Sequence, residues 1–171
     1  MTTSFLEFSN QYVKPLAGRT LVTGSHVFPG REDRRLLYAN AVGVDIQVGP
    51  GVDIVADLEE PCSFLGQFSH IDCISVLEHS RRPWLLAQNI EDLLVEGGTL
   101  FVSAPFSWRE HGYPDDYWRF TESGLRLLFP RIQWEEIMYA GRRLRRKAKR
   151  VLVDGFPCFP RQEVVGFGRK A

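Results

Sequence analysis

The sequence lacks several features that would each point to a particular class of protein. Its 171 residues carry 21 basic and 21 acidic side chains, so the net charge of zero gives no overall field for nucleic acid or anionic membranes. No apolar run approaches the roughly 18 residues of a membrane span. The amino-terminal MTTSFLEFSN has neither the basic start nor the apolar core of a secretory signal. These absences favour a cytoplasmic protein.

Cysteine is scarce as well. Cys62, Cys73 and Cys158 are odd in number, and none has C-x-x-C or zinc-finger spacing. Neither a disulfide framework nor a metal site is therefore predicted. We interpret the three residues as reduced thiols that pack like small hydrophobic side chains.

What the chain does contain is a series of short runs rich in β-branched residues. The runs are RTLVTG, AVGVDI, VDIVAD, IDCISVL and GTLFVSAP. A charged, helix-prone segment, REDRRLLYAN, precedes the second run. Before the fifth lies RRPWLLAQNIEDLLVEGG, in which Leu86, Ile90, Leu93 and Leu94 share one helical face. This alternation predicts an α/β fold with a mainly parallel, doubly wound sheet.

The carboxy-terminal part follows a different pattern. RIQWEEIMYAG and RQEVVGFGRK are predicted to be two further strands that form an antiparallel edge, giving seven strands in all. Between them, Arg142–Arg150 contains seven cations, and Leu144, Ala148, Val151 and Leu152 have helical spacing. We favour the solvated face of a short helix. The alternative is a positive patch for a nucleic acid or a phosphorylated substrate.

Polar residues follow four of the predicted parallel strands. They are Gly24 and Ser25, Asp45, Asp57, and the pair Glu78 and His79. Each aspartate alone is as consistent with a turn or a helix cap as with binding. Ligands of parallel sheets bind at the carboxyl ends of the strands, so the series favours one shared ligand site.

The segment HGYPDDYWRFT, after the fifth run, has two interpretations. As a brace, Asp115 or Asp116 pairs with Arg119, Trp118 fills the core, and Thr121 caps the next helix. As a substrate wall, its aromatic and charged side chains contact a ligand. We expect the second half to hold the shape and the first half to meet substrate. His70, before the fourth run, is interpreted as a surface residue.

With these motifs in view, the sequence resembles the class I S-adenosylmethionine-dependent methyltransferases, and more narrowly a small bacterial branch with LEH after strand four and PDDYWRFT after strand five. VGVDIQVGPGVDIVADLEE, SVLEHSRRP and LLVEGGTLFVSAPFSWREHGYPDDYWRFTESGLRLL carry the resemblance. It implies a single Rossmann-like domain over residues 1–171 that uses S-adenosylmethionine as its cofactor.

The resemblance also implies roles for individual residues. Gly24 would let the backbone approach the cofactor, and Asp45, with Ile46 beside it, would bind the ribose hydroxyls. Asp57 and Leu58 would face the adenine. Ser75, Val76 and Leu77 would line the methionine portion. One departure stands out, because His26 occupies the place of the second glycine of the first loop.

The loop after strand five is expected to lie on the substrate side. The predicted substrate residues there are Trp108, Tyr113, Asp115, Asp116, Tyr117 and Arg119. His111 is the predicted general base, because histidine titrates nearest neutral pH, and His79 is the second candidate. The predicted activity is methyl transfer to an O or N nucleophile of a small-molecule or carbohydrate-like acceptor. The alternative is a catalytically degenerate binding or scaffold protein.

Overall fold

The computed structural model describes residues 3–13, 17–112, 114–141, 151–153, 156–158 and 163–171. Seven of its strands form one sheet in the order β3-β2-β1-β4-β5-β9-β6. In chain order they are β1 (Thr20–Thr23), β2 (Ala41–Asp45), β3 (Ile54–Val55), β4 (Phe68–Ile74), β5 (Leu94–Pro105), β6 (Ile132–Ala140) and β9 (Glu163–Lys170). A separate hairpin consists of β7 (Val151–Val153) and β8 (Phe156–Cys158).

Strands β1 to β5 are parallel, and β9 runs antiparallel between β5 and β6. The chain order reverses at β1, beside β4, which is where a doubly wound sheet opens its ligand crevice. The predicted fold class is confirmed, including the antiparallel carboxy-terminal edge. Among the described residues, no helix has the length and apolar character needed to cross a membrane.

In the part of the chain that the structure describes, three α-helices accompany the sheet: α1 (Thr3–Tyr12), α2 (Pro83–Leu93) and α3 (Glu122–Leu128). Helix α2 begins at Pro83, as a fixed φ and a missing N–H favour, and it buries Leu86, Ile90 and Leu93 against the sheet. Thr121 caps α3 by accepting a hydrogen bond from the Gly124 N–H, as predicted. The thiols of Cys62 and Cys73 are free and buried, in agreement with the sequence.

The helix expected in REDRRLLYAN is reduced to a single 3-10 turn, Arg34–Leu37. The reason lies in β4, where buried Asp72 accepts hydrogen bonds from both Arg34 and the Tyr38 hydroxyl. The Asp33 side chain also accepts from the Arg35 N–H and caps this turn. These bonds hold the connection in a short path between β1 and β2, so the expectation of a helix is wrong.

Two further expectations need correction. His70 lies in β4 and is fully buried, because its ring nitrogens find hydroxyl partners in Thr99 and Tyr38. Val151 and Leu152 belong to β7 and so do not continue a helix. The remainder of the basic segment, Arg142–Arg150, lies outside the described residues.

Candidate functional site

A cleft of about 1130 Å³ opens over the carboxyl ends of β1, β2 and β4. Its wall includes most residues that the sequence nominated for cofactor binding. Those on the wall are Gly24, Asp45, Ile46, Asp57, Leu58, Ser75 and Val76. The sheet topology therefore brings together residues that are up to 52 positions apart in the chain, counted from Gly24 to Val76.

Gly24 ends β1 in a conformation that only glycine adopts easily. Its φ is +60°, and a Cβ there would lie 2.6 Å from Cγ2 of Val76. The backbone of the first loop therefore lies directly against the end of β4. Gly24 itself is exposed and lines the cleft.

His26 occupies the place of the second glycine without crossing the cleft. Its ring stacks on Phe28, with centroids 4.6 Å apart. Its Nε2 lies so close to Gly49 that a Cβ added to Gly49 would be 2.4 Å from it. The histidine thus packs towards the loop between β2 and β3. It still forms part of the cleft wall.

Asp45 ends β2 with its carboxylate turned back on the neighbouring loops. Oδ2 accepts the His26 N–H at 3.1 Å, and Oδ1 accepts the Gln47 N–H at 3.0 Å. A carboxylate offers about four lone-pair positions, so each oxygen keeps capacity for one more donor. Ile46 follows with an exposed side chain. The pair suits a ligand with two adjacent hydroxyls and an apolar ring.

The segment after β3 supplies the next part of the wall. Asp57 is exposed and accepts the Glu59 N–H at 2.8 Å, while Leu58 is buried beneath it. Glu59 in turn accepts hydrogen bonds from Ser80 Oγ and the Arg81 N–H. The wall after β3 is thereby tied to the end of β4.

The end of β4 is strained. Ser75 has φ of +54° and is the sole described non-glycine residue with positive φ. Such conformations cluster at ligand sites because the surrounding structure has to enforce them. Ser75 and Val76 face the cleft, whereas the Leu77 side chain is fully buried in the hydrophobic core. Leu77, which the sequence nominated, does not line the cleft.

Four hydrogen bonds between described residues fix the loop after β5, three of them to residues that follow β4 and one to β5. The Tyr117 N–H donates to the Glu78 carbonyl, the Phe120 N–H to the Pro105 carbonyl, Trp118 Nε1 to the Ser80 carbonyl, and His79 Nδ1 lies 2.5 Å from the Asp115 carbonyl. Three of them join the loop to 78–80, and the fourth closes the loop on β5. The loop is therefore fixed over the cleft.

The side chains of this loop fall into two groups by what they contact. Trp108, Asp115 and Tyr117 line the cleft, and the two aromatic side chains are 47% and 41% exposed. Asp116 and Arg119 instead pair with each other inside the loop, at 2.5 Å, and Arg119 also donates to three backbone carbonyls. Arg119 holds the pKa of Asp116 well below its usual range. Tyr113 lies outside the described residues.

Trp118 does not fill the core, as one interpretation of the loop required. It is 39% exposed, and its ring meets the edge of Trp84 at a centroid distance of 6.3 Å. Its Nε1–H needs the Ser80 carbonyl, which keeps the ring at the surface. Trp118 is therefore a surface clasp between the loop and the start of α2.

His79 and His111 meet at the inner end of the cleft, although 32 positions separate them in the chain. Their ring centroids are 5.0 Å apart, and both rings face the carboxylate of Glu78. Burial raises the pKa of Glu78 to about 8. The sequence placed Glu78 only among polar strand ends, because its burial beside two histidines depends on the loop after β5.

The comparisons with known proteins concern the fold. No family model matches the sequence, and no curated protein does. Solved structures do match. A Burkholderia thailandensis 1,6-didemethyltoxoflavin-N1-methyltransferase, bound to 1,6-didemethyltoxoflavin and S-adenosylhomocysteine, is 18% identical with a TM-score of 0.64, covering 98% of this chain and 76% of that one.

Two further structures are similar. The N-methyltransferase NodS from Bradyrhizobium japonicum, with S-adenosylhomocysteine, is 11% identical with a TM-score of 0.60, covering 99% of this chain and 88% of that one. An S-adenosylmethionine-dependent methyltransferase from Clostridium acetobutylicum is 8% identical with a TM-score of 0.61, covering 97% and 89%. This chain therefore has the fold of the S-adenosylmethionine-dependent methyltransferases.

Proposed function

We propose that this chain is a class I S-adenosylmethionine-dependent methyltransferase, a single domain over residues 1–171, that acts on an O or N nucleophile of a small-molecule or carbohydrate-like acceptor. The observation that carries the proposal is the placement of Asp45 and Gly24 on one cleft wall, at the point where the strand order reverses. Similar folds have been solved with S-adenosylhomocysteine, which supports the choice of cofactor.

The chain's residues fit that cofactor in type and position. Asp45 keeps free acceptor capacity for two ribose hydroxyls, and the absence of a Cβ at Gly24 gives room for close approach. Asp57 can accept from an exocyclic amine above Leu58. Bound S-adenosylmethionine supplies a methyl group on a positively charged sulfur. The strained turn at Ser75 and Val76 would then line its methionine portion.

The loop after β5 is proposed to align the acceptor. Trp108 and Tyr117 present half-exposed aromatic faces to the cleft, which suit a flat or carbohydrate-like molecule. Alignment is the larger part of catalysis in a displacement at methyl, because the nucleophile must meet the carbon opposite the sulfur. The hydrogen bonds from the loop to 78–80 supply the rigidity that alignment needs.

The acceptor's proton is assigned to His111, with His79 as the second candidate. Nδ1 of His111 lies 2.9 Å from Oδ2 of Asp116, a carboxylate that stays ionised and stabilises an imidazolium. His79 has a backbone carbonyl in the equivalent place. The carboxylate beside His111 therefore makes His111 the preferred general base over His79.

Calorimetry with S-adenosylmethionine and S-adenosylhomocysteine tests the proposal. We expect both to bind one-to-one. Absence of binding at millimolar concentration would instead support the second candidate, a degenerate binding or scaffold protein. The observation that favours this candidate is His26, whose side chain stands on the cleft wall in the place of a glycine.

A further inference from the structure

Glu78, His79 and His111 form a cluster whose geometry is unusual for a metal-free hydrogen-bond network. Oε1 of Glu78 lies 3.7 Å from Nε2 of His79 and 3.9 Å from Nε2 of His111, and one ligand atom from each residue lies within 4.8 Å of the other two. These distances are too long for hydrogen bonds. Ligand atoms around a tetrahedral zinc ion lie about 3.4 Å apart, so the side chains must move inward, by up to about 1.4 Å for the most distant pair, to complete a site.

An oxygen atom lies close to the Nδ1 atom of each histidine ring. Nδ1 of His79 is 2.5 Å from the Asp115 carbonyl, and Nδ1 of His111 is 2.9 Å from Oδ2 of Asp116. The second contact is a close ion-pair distance without an aligned hydrogen bond, and the same oxygen also accepts the His111 backbone N–H. An Nδ1–H facing oxygen leaves the lone pair on Nε2. Metal-binding histidines are oriented in the same way, by an acceptor behind the ring.

Glu78 provides an independent observation. Its side chain is 1% exposed, and its Oε2 is buried with no hydrogen-bond partner. In the part of the chain that the structure describes, its ion-pair partners are the two histidines alone. The nearby Arg119 directs its donors to Asp116 and to backbone carbonyls. An ionised carboxylate buried in this way needs a cation or several donors, and the described residues leave Oε2 without a hydrogen bond.

We propose that Glu78, His79 and His111 bind a divalent transition-metal ion of the zinc type. Two imidazole nitrogens and one carboxylate are the ligand set of catalytic zinc sites that keep a position open. All three residues are on the cleft wall, so the open position faces the cleft. The proposed ion site therefore adjoins the proposed cofactor wall at the end of β4.

The ion gives the acceptor a defined chemical class, a point that rests on the proposed methyl transfer. A hydroxyl oxygen bound at the open position loses its proton to solvent more easily than a free one. The resulting alkoxide forms the O–CH₃ bond while the S–CH₃ bond breaks. The electron pair of the broken S–CH₃ bond stays on the sulfur, which becomes a neutral thioether. The acceptor is therefore a hydroxyl compound. A bound ion occupies both histidines as ligands, so in the metal-bound protein the acceptor's proton goes to solvent, and the base role proposed for His111 applies to the metal-free protein.

The test is metal binding by the full chain after chelation and dialysis, measured by calorimetry with Zn²⁺ and by the visible absorption of Co²⁺. We expect one ion per chain and a Co²⁺ spectrum of low coordination number. Zinc binds nitrogen and oxygen sites more tightly than manganese, iron or cobalt, so failure of the wild type to bind Zn²⁺ would overturn the proposal.

The variants Glu78→Gln and His79→Ala should each abolish stoichiometric binding, and Asp116→Asn should weaken it about 10- to 100-fold by releasing the ring of His111. The matched control is His26→Asn, which removes a cleft histidine outside the cluster and should bind Zn²⁺ like the wild type. Wild-type affinity in both ligand variants would also refute the site. Their folding is checked by melting curves, and the Co²⁺ spectrum of the wild type requires no variant.

S-adenosylhomocysteine calorimetry on the same metal-free protein separates this inference from the proposed function. Binding of the nucleoside without Zn²⁺ binding leaves the methyltransferase proposal intact and removes the metal site. Binding of Zn²⁺ without the nucleoside does the reverse.

Discussion

Gly24 and Val76 are in direct contact across the cleft floor, one at the end of β1 and the other just after β4. A Cβ at Gly24 would lie 2.6 Å from Cγ2 of Val76, closer than carbon atoms approach without repulsion. The contact joins the backbone that a cofactor must approach to the strained turn at Ser75. The absence of a Cβ at Gly24 therefore allows this contact at the floor of the cleft.

Gly24→Ala should lower both stability and cofactor affinity. The positive φ alone costs about 1–2 kcal/mol for a residue with a Cβ, and the contact with Val76 adds to it. Gly97→Ala is the matched control, since Gly97 also has positive φ, +73°, but no atom near its added Cβ. Unfolding by denaturant and S-adenosylhomocysteine calorimetry report the two effects.

A second substitution isolates the steric part. Val76→Ala in the Gly24→Ala background removes the atom that is contacted, so it should recover part of the lost stability. If the double variant is no more stable than Gly24→Ala, the contact is not the cause of the loss.

Asp45→Asn should weaken binding of S-adenosylhomocysteine by about 10- to 100-fold, because hydrogen bonds to a charged acceptor contribute about 1.5–3 kcal/mol. The amide keeps the size of the side chain but has a single acceptor oxygen, so one of the two backbone N–H groups that donate to Asp45, those of His26 and Gln47, loses its acceptor. Glu60→Gln removes one exposed carboxylate outside the cleft wall and serves as the control. Equal affinities for the wild type and Asp45→Asn would refute the ribose assignment.

The strand pattern and the position of most nominated residues at strand ends on one cleft wall were predictable, because both depend on local sequence. β-branched runs and the polar residues that follow them identify where strands end. The turn at Arg34–Leu37 was not predictable, since Asp72, which binds Arg34, belongs to a strand formed much later in the chain. His70 was misplaced for the same reason, because Thr99 and Tyr38 satisfy its ring only in the folded sheet.

The cluster at Glu78 shows the same limit in the candidate site. His79 and His111 were both nominated from sequence, but as competing bases. Their convergence on one buried carboxylate depends on hydrogen bonds between the loop after β5 and 78–80. No spacing rule for metal ligands contains an interval as long as the one between these histidines.

His70 should make the protein less stable in mild acid. Burial lowers its pKa to about 4 in the native state, whereas the unfolded chain titrates near 6.5. The neighbours Asp72, Arg34 and Tyr38 retain their own pairs. Below pH 6.5 the unfolded state gains a proton that the native state does not bind until about pH 4, so stability falls as pH drops through this window.

Between pH 7 and pH 5 this difference amounts to about 2 kcal/mol. Denaturant unfolding of the wild type and His70→Gln at both pH values measures it. The comparison uses the change with pH, because the substitution itself alters stability at every pH. Parallel pH dependence in the two proteins would contradict a buried neutral His70.

Trp118→Ala should destabilise the protein by only about 1–2 kcal/mol, well below the 3–5 kcal/mol typical of a core tryptophan. The reason is that the ring is partly exposed and contributes one hydrogen bond and one edge contact. Trp118→Phe retains the contact with Trp84 and loses the donor, so its stability should lie between those of the wild type and Trp118→Ala. A destabilisation of about 3–5 kcal/mol by Trp118→Ala would restore the interpretation of Trp118 as a buried residue.

The final prediction concerns the two histidines of the cleft. His111→Ala should lower turnover by about 10²–10⁴-fold and leave the affinity for S-adenosylhomocysteine nearly unchanged, because the ring faces Glu78 and not the cofactor wall. The measurement is steady-state turnover with an acceptor identified by screening hydroxyl compounds. His79→Ala is the paired variant.

The pattern of the two losses distinguishes base from ligand. If His111 is the base, His79→Ala retains most activity, the chelated enzyme turns over normally, and the acidic limb of the pH–rate profile disappears in His111→Ala. If both are ligands, both variants and the chelated wild type lose activity, and Zn²⁺ restores the wild type alone. Full activity in both variants would exclude both roles and leave alignment by Trp108 and Tyr117 as the contribution of this loop.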